Sequence, residues 1–215
     1  MSGGPPALVF DGPKRADLTL ALAHGAGAPM DSPFMNEMAQ RLAAKGWRVA
    51  RFEFPYMAAR RADGRKRPPD AQTKRLDCWR QVAEALGPER LAAGGKSMGG
   101  RMASLLAADM EAEGAPLKGV LCLGYPFHPP GRPEKLRIAH LERLATPTLI
   151  VQGTRDPFGT REEVSDYALS PHVRVAWMED GDHSLAPRKA SGRTPEQNLD
   201  AAAAAADAFL RTLAD

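Results

Sequence analysis

The chain alternates short apolar runs with longer stretches in which apolar residues recur at helical spacing. The runs Ala7–Phe10, Leu18–Ala23, Arg48–Phe52, Leu91–Ala93, Val120–Leu123, Thr148–Gln152 and Val173–Trp177 predict strands. The segments Phe34–Lys45, Ala71–Leu86, Met98–Glu113, Arg161–Ala168 and Pro195–Leu213 predict helices. Strand and helix in alternation predict an α/β fold, a mainly parallel central sheet flanked by helices. In the first helix Phe34, Met38 and Leu42 share a face, and Gly46 supplies the stop. In the last, Thr194 suits the N-cap and Pro195 the first turn. Its Ala201–Ala206 run, flanked by Leu199, Phe209 and Leu210, reads as a packed terminal helix rather than as low complexity. Trp79, inside a predicted helix, reads as core.

No internal repeat or Ser/Gly linker divides the chain, so residues 1–215 are expected to form a single domain. A hydrophobic content of 43% and a charged content of 26% suit a globular protein with one substantial core. No apolar run reaches the roughly 20 residues needed to cross a bilayer, so no membrane partner is expected. The opening Met1-Ser-Gly-Gly-Pro-Pro lacks the pattern of a secretory leader. Cys78 and Cys122 are too few for a disulfide framework and predict reduced thiols in a cytoplasmic protein. A net charge of +3 does not call for a nucleic-acid partner. The longest irregular stretches are Pro55–Asp70 and Tyr125–Leu144. Neither is long enough for a large cap domain, which predicts a shallow pocket.

Candidate chemistry begins at Gly95-Lys96-Ser97-Met98-Gly99, a Gly-x-Ser-x-Gly pentapeptide between a predicted strand and a predicted helix. A serine raised on so sharp a turn exposes its hydroxyl to a base, and flanking small residues let strand and helix approach. The helix N-terminus adds a field that favours developing negative charge. Two other readings compete. One is a tightly packed helix start with Ser97 as N-cap. The other is a phosphate loop, which demands glycine at position 90, where the chain has Arg90.

An elbow of this kind predicts an oxyanion loop before it and an acid and a histidine after it. His24-Gly25-Ala26-Gly27 follows the strand Leu18–Ala23, and its glycines let backbone N–H groups turn toward a substrate oxygen. The expected oxyanion donors are the N–H groups of Ala26 and Met98, with His24 holding the loop. Asp156 follows the strand Thr148–Gln152, where α/β folds locate their sites. Taken alone it also fits an ordinary Asp-Pro turn. His183 follows the strand Val173–Trp177 on a polar loop. His128, His140 and His172 fall out of order, and Asp180 and Asp182 are expected to shape the histidine's own loop. The predicted catalytic set is Ser97, Asp156 and His183, performing acyl transfer with no metal and no organic cofactor. Gly25, Gly27, Lys96, Tyr125 and Phe127 are candidate substrate-binding residues, with Tyr125-Pro-Phe-His-Pro-Pro130 as a pocket wall.

With His24-Gly-Ala-Gly27, Gly95-Lys-Ser-Met-Gly-Gly-Arg101, Gly153-Thr-Arg-Asp156 and Gly181-Asp-His183 assembled, the chain resembles the lid-poor α/β-hydrolases of the dienelactone-hydrolase-like group. It is most similar to a predicted-hydrolase subgroup related to the testis-expressed and nonspecific-lethal-complex proteins. The resemblance spans most of the chain and implies the fold and the triad rather than a physiological substrate. Dienelactone hydrolases proper use a cysteine nucleophile, whereas this chain has Ser97. A dehalogenase would need a carboxylate at that position.

The expected reaction is hydrolysis of a small ester, thioester or related acyl molecule. The run Arg60–Arg67 carries five positive side chains and one negative. It reads as a solvated loop, or as a basic rim for anionic substrates or nucleic acid, without the aromatic residues of a single-strand groove. The alternative function is a catalytically silent module that binds a partner through this 60–67 loop. The sequence leaves the oligomeric state open.

Overall fold

The computed structural model describes residues 4–214. Met1–Gly3, the start of the segment read above as lacking a leader, lie outside the described residues. Seven strands form one sheet: β1 (Val9–Asp11), β2 (Thr19–Ala23), β3 (Arg48–Phe52), β4 (Leu91–Lys96), β5 (Gly119–Leu123), β6 (Thr148–Gly153) and β7 (Val173–Met178). Their spatial order is β1-β3-β2-β4-β5-β6-β7, with β1 antiparallel to β3 at one edge and every other pairing parallel. Among the described residues six α-helices accompany them: α1 (Pro33–Ala44), α2 (Pro55–Asp63), α3 (Gln72–Leu86), α4 (Met98–Ala112), α5 (Arg161–Ser165) and α6 (Pro195–Ala214).

Side chains of successive strand residues point to opposite faces, so a sheet covered on both sides has two cores. Ala21, Phe52, Ala93, Val120, Cys122 and Ile150 pack on one face with Met57, Trp79, Met102 and Leu106 of α2, α3 and α4. Leu20, Leu22, Val49, Leu121, Leu123 and Val151 pack on the other with Met35, Met38 and Leu42 of α1 and Phe209 and Leu210 of α6. Trp79 is fully buried, edge-on to Phe52 with ring centroids 4.6 Å apart, as expected of a core residue. Within the alanine run, Ala202, Ala203 and Ala206 are buried, and their small size lets α6 lie close to the sheet. Thr194 caps α6 as expected, accepting from the Gln197 N–H at 3.2 Å while the Gln197 side chain accepts from the Thr194 N–H at 3.0 Å.

One expectation needs correction. Helix α2 occupies much of the stretch read as irregular. Pro55 stands in its first turn, and Gly64 ends it in the left-handed conformation at φ 72°. Only Tyr56 and Met57 of α2 are buried, and at nine residues, polar on average, the helix is too short for its period to stand out from the basic run that follows. Phe34 is half-buried at the start of α1 and packs against the cluster that holds Met38 and Leu42, as its shared face predicts, with Met35 buried beside them.

The strand order reverses direction at β2 and β4. From β2 the chain crosses to β3 on one side, and from β4 onward it builds outward on the other. The carboxyl ends at such a reversal leave a crevice, the usual place for a ligand in an open α/β sheet.

Candidate active site

Strand β4 ends at Lys96 and α4 starts at Met98, so Ser97 alone makes the turn, at φ 51° and ψ −114°. A non-glycine residue there is strained and is held by its surroundings. The Ser97 N–H donates to Leu123 O at 3.0 Å, and Ser97 O accepts from the Arg101 N–H at 3.0 Å. A Cβ on Gly95 or Gly99 would come within 2.3 and 2.4 Å of Ala23 O, so only glycine lets β4 and α4 meet β2 this closely. The pentapeptide is therefore a strand–turn–helix elbow.

The hydroxyl of Ser97 lies 2.8 Å from Nε2 of His183, and Nδ1 of the same ring lies 2.8 Å from Oδ2 of Asp156. Asp156 is fully buried, and its acceptors are occupied. Oδ2 also accepts from the Gln152 side-chain N–H at 3.0 Å, and Oδ1 accepts from the Phe158 N–H at 2.9 Å. A buried polar group is costly unless its hydrogen bonds are made, and these are. Since Asp156 accepts at Nδ1, the imidazole carries its proton there and leaves Nε2 free to accept from Ser97. Gln152 received no role from the sequence, because it reads as the polar end of a strand. Its amide bridges Asp156 to Gly159 O at 3.2 Å, and its Oε1 accepts from the Tyr125 N–H at 2.7 Å.

His24 is buried and neutral. Burial pushes its imidazole below the ordinary value, its Nδ1–H donates to Gly25 O at 2.6 Å, and its Nε2 accepts from the Phe54 N–H at 3.1 Å. It ties the loop to β3, the holding role expected of it. Helix α2 holds the same loop from the other side. The Tyr56 hydroxyl donates to Ala26 O at 2.9 Å, and Arg60 reaches Gly27 O at 3.4 Å. Among the described residues, the N–H groups of Ala26 and Met98 have no acceptor.

A cleft of about 390 Å³ lies over Ser97 and His183. Gly25, Gly27 and Lys96 line it, as expected, together with Pro33, Phe34, Met35 and Phe158. Phe158 lies over the His183 ring with centroids 4.2 Å apart. Tyr125 and Phe127 do not line it. Both are fully buried in the core on the far side of the Gly124 turn, where the Tyr125 hydroxyl donates to Arg137 O at 2.8 Å. The aromatic walls are Phe34 and Phe158 instead.

Lys96 turns inward. Its ammonium donates to His183 O and lies 5.2 Å from the Phe34 ring centroid. Burial pushes its pKa down to about 8, against the pull of Asp156 and Asp182. The neighbouring Gly124 sits at φ 67°, and a Cβ there would approach His183 O to 2.7 Å and Lys96 Nζ to 2.8 Å. Asp180 and Asp182 shape the histidine loop as expected. Asp180 pairs with Arg155 at 2.9 Å and with Arg188, while Asp182 accepts from the Ser184 and Ala186 N–H groups at 2.7 and 3.0 Å. The remaining histidines lie elsewhere: His140 bonds Ser104 at 2.8 Å, and His128 faces Glu163 at 3.5 Å.

The basic run at 60–67 is partly neutralised within the molecule. Arg61 bonds Asp31 and Glu53, and Arg67 bonds Asp63.

Comparison with known proteins agrees with this architecture. The alpha/beta hydrolase domain family matches residues 16–211. A dienelactone hydrolase from Anabaena variabilis is similar at 20% identity, covering 95% of this chain and 90% of that one, with a TM-score of 0.71. A lid-less α/β serine hydrolase from Xanthomonas campestris is similar at 21% identity, covering 97% and 91%, with a TM-score of 0.68. An α/β serine hydrolase homologue from Coxiella burnetii matches at 20% identity, covering 90% and 89%, with a TM-score of 0.64. The family match spans nearly the whole chain and includes every residue of the elbow, the buried acid and the histidine loop: this protein belongs to the α/β-hydrolase domain family.

Proposed function

We propose that this protein is a serine hydrolase that cleaves a small ester, thioester or related acyl substrate through an acyl-enzyme on Ser97. The observation that carries the reading is the unbroken hydrogen-bonded series from Ser97 Oγ through His183 to buried Asp156, 2.8 Å at each step. His183 Nε2 takes the hydroxyl proton as Oγ attacks the carbonyl carbon, and Asp156 stabilises the imidazolium that forms. The N–H groups of Ala26 and Met98 serve as the oxyanion donors, the second at the start of α4, whose field favours negative charge. His183 then returns the proton to the leaving group, and water repeats the sequence to release the acid. None of these steps requires a metal or an organic cofactor. Within the family, the four matching motifs support membership of the lid-less dienelactone-hydrolase-like group and its predicted-hydrolase subgroup. The two buried free thiols, Cys78 and Cys122, support a reducing, cytoplasmic setting.

A fluorophosphonate probe should label the wild type and leave Ser97→Ala unlabelled, and short p-nitrophenyl esters should be cleaved only by the former. A folded wild type inert to both would remove the hydrolase reading. The alternative, a silent module that binds through 60–67, is weakened by the internal pairing of Arg61 and Arg67.

A further inference from the structure

Beside the elbow stands a group of arginines that, among the described residues, form no ion pair with a carboxylate. Arg101 lies one turn along α4 from Ser97, and its Nη1 donates to Gln72 Oε1 at 3.4 Å. Gln72 is three residues before Arg75 on α3, so the two share a face and Arg75 and Arg101 are neighbours. The Nε atoms of both are buried and have no hydrogen-bond partner. Burial pushes both guanidinium groups down; Arg101 adds to this at Arg75 and Arg137 at Arg101, while Tyr56 and Asp70 pull the other way at Arg75 and Tyr125 does so at Arg101. Arg60 extends the group at the far end of the loop His24–Gly27. Between them lies Tyr56, its hydroxyl pushed up to about 12 by burial while Arg75 and Arg60 pull the other way. Among the described residues, Arg60, Arg75, Arg101 and Arg137 make no ion pair. Arg41, Arg51, Arg61, Arg80, Arg155 and Arg188 each have at least one. The nearest acid, Asp70, is already occupied by the Tyr56 N–H at 2.7 Å and by Lys74 at 2.8 Å.

Gathering like charges while leaving buried donors unsatisfied is unfavourable unless an anion completes the arrangement. A single carboxylate offers one bidentate edge and would leave most of this charge uncompensated. A phosphoryl group brings close to two negative charges and three oxygens that accept from several guanidinium forks at once. We propose that Arg75, Arg101 and Arg137, with Arg60, bind a phosphoryl group carried by the substrate. The proposal rests on the hydrolase reading of Ser97 and names the substrate class: an acyl ester or thioester whose far end is phosphorylated. The apolar cleft over Ser97 would then receive the acyl part.

Inorganic pyrophosphate tests the site without relying on catalysis. Calorimetric titration into Ser97→Ala at about 0.15 M salt should show one-site binding. Arg101→Gln or Arg75→Gln, each added to Ser97→Ala, should weaken it by at least about tenfold, whereas Arg143→Gln, on an exposed loop, should not. In the wild type, acetyl-coenzyme A should show a kcat/KM at least about ten times that of S-acetyl-N-acetylcysteamine, the same thioester without phosphates. Pyrophosphate should compete with the former, and Arg101→Gln should collapse the ratio through KM. Binding that is absent or indifferent to the arginines would overturn the anion site. Pyrophosphate that binds without competing would overturn its assignment to the substrate. Arginine-dependent binding to a protein that cleaves no acyl compound would retain the anion site and discard the hydrolase reading.

Discussion

Around Asp156 the site depends on a residue that never touches a substrate. The side-chain N–H of Gln152 is one of three donors on that carboxylate, and its Oε1 fixes the backbone of Tyr125 at the end of β5. Replacing it by methionine keeps the volume and removes these bonds together with those its side-chain N–H groups make to Tyr125 O and Gly159 O. The remaining donors still hold Asp156 near His183, so the ring should stay in place but stabilise the imidazolium less well. A lost hydrogen bond to a charged group is worth about 1.5–3 kcal/mol, which corresponds to a fall in kcat of at least about tenfold with KM little changed. Steady-state kinetics on a p-nitrophenyl ester separate the two constants, and an unchanged kcat would show that Gln152 only supports the fold. Gln152→Glu makes the converse point. It sets a second carboxylate against Asp156, which should raise the pKa of one of them and move the acid limb of the pH–rate profile upward.

At the scale of elements, α2 is the part of the site that the sequence hides. Its hydrogen bonds to the oxyanion loop come from Tyr56 and Arg60, and its end is set by Gly64. Gly64→Ala forces a side chain into the left-handed region and should lower stability by about 1 kcal/mol, measured by denaturant unfolding. Tyr56→Phe removes the bond to Ala26 O while keeping the buried ring. It should lower kcat by several-fold through looser oxyanion donors, and an unaltered kcat would mean that His24 alone positions the loop. The reason α2 was not legible is physical. The helix is amphipathic but only nine residues long, polar on average and run into a basic tail, so its period is too brief to stand out, although Pro55 and Gly64 did mark its ends. Ser97, Asp156 and His183 could be proposed from the sequence because each follows its own strand within a short local pattern, and the structure brings the three within hydrogen-bond reach. Tyr125 and Phe127 were misread for the opposite reason. An aromatic cluster after a strand end can turn toward solvent or core, and only the positive φ of Gly124 sends this one inward.

For the whole molecule, stability should follow pH through the groups that folding pairs or buries. Asp63 and Asp180 are held down to about 2, chiefly by Arg67 and Arg188. Their folded values lie below the unfolded ones, so their contribution is present above about pH 4 and lost as pH falls toward 2. Lys96 works at the other end. Its folded pKa of about 8 lies below that of a free lysine, so above pH 8 the native state binds fewer protons than the unfolded chain. Stability therefore gains from this group as pH rises, at up to about 1.4 kcal/mol per pH unit. Buried Tyr56, Cys78 and Cys122, whose pKa values are raised, act in the opposite sense over the same range and obscure it in the wild type alone. The difference between wild type and Lys96→Met cancels them. Methionine loses the bond to His183 O at every pH, a constant offset, and is free of the buried ammonium. Relative to wild type, Lys96→Met should therefore be most favoured below pH 8 and progressively less so toward pH 10. Urea unfolding of both proteins at pH 7, 8.5 and 10 reads this slope directly. A difference that does not change with pH would mean that Lys96 titrates like an exposed lysine, and that its contact with His183 leaves the ammonium open to water.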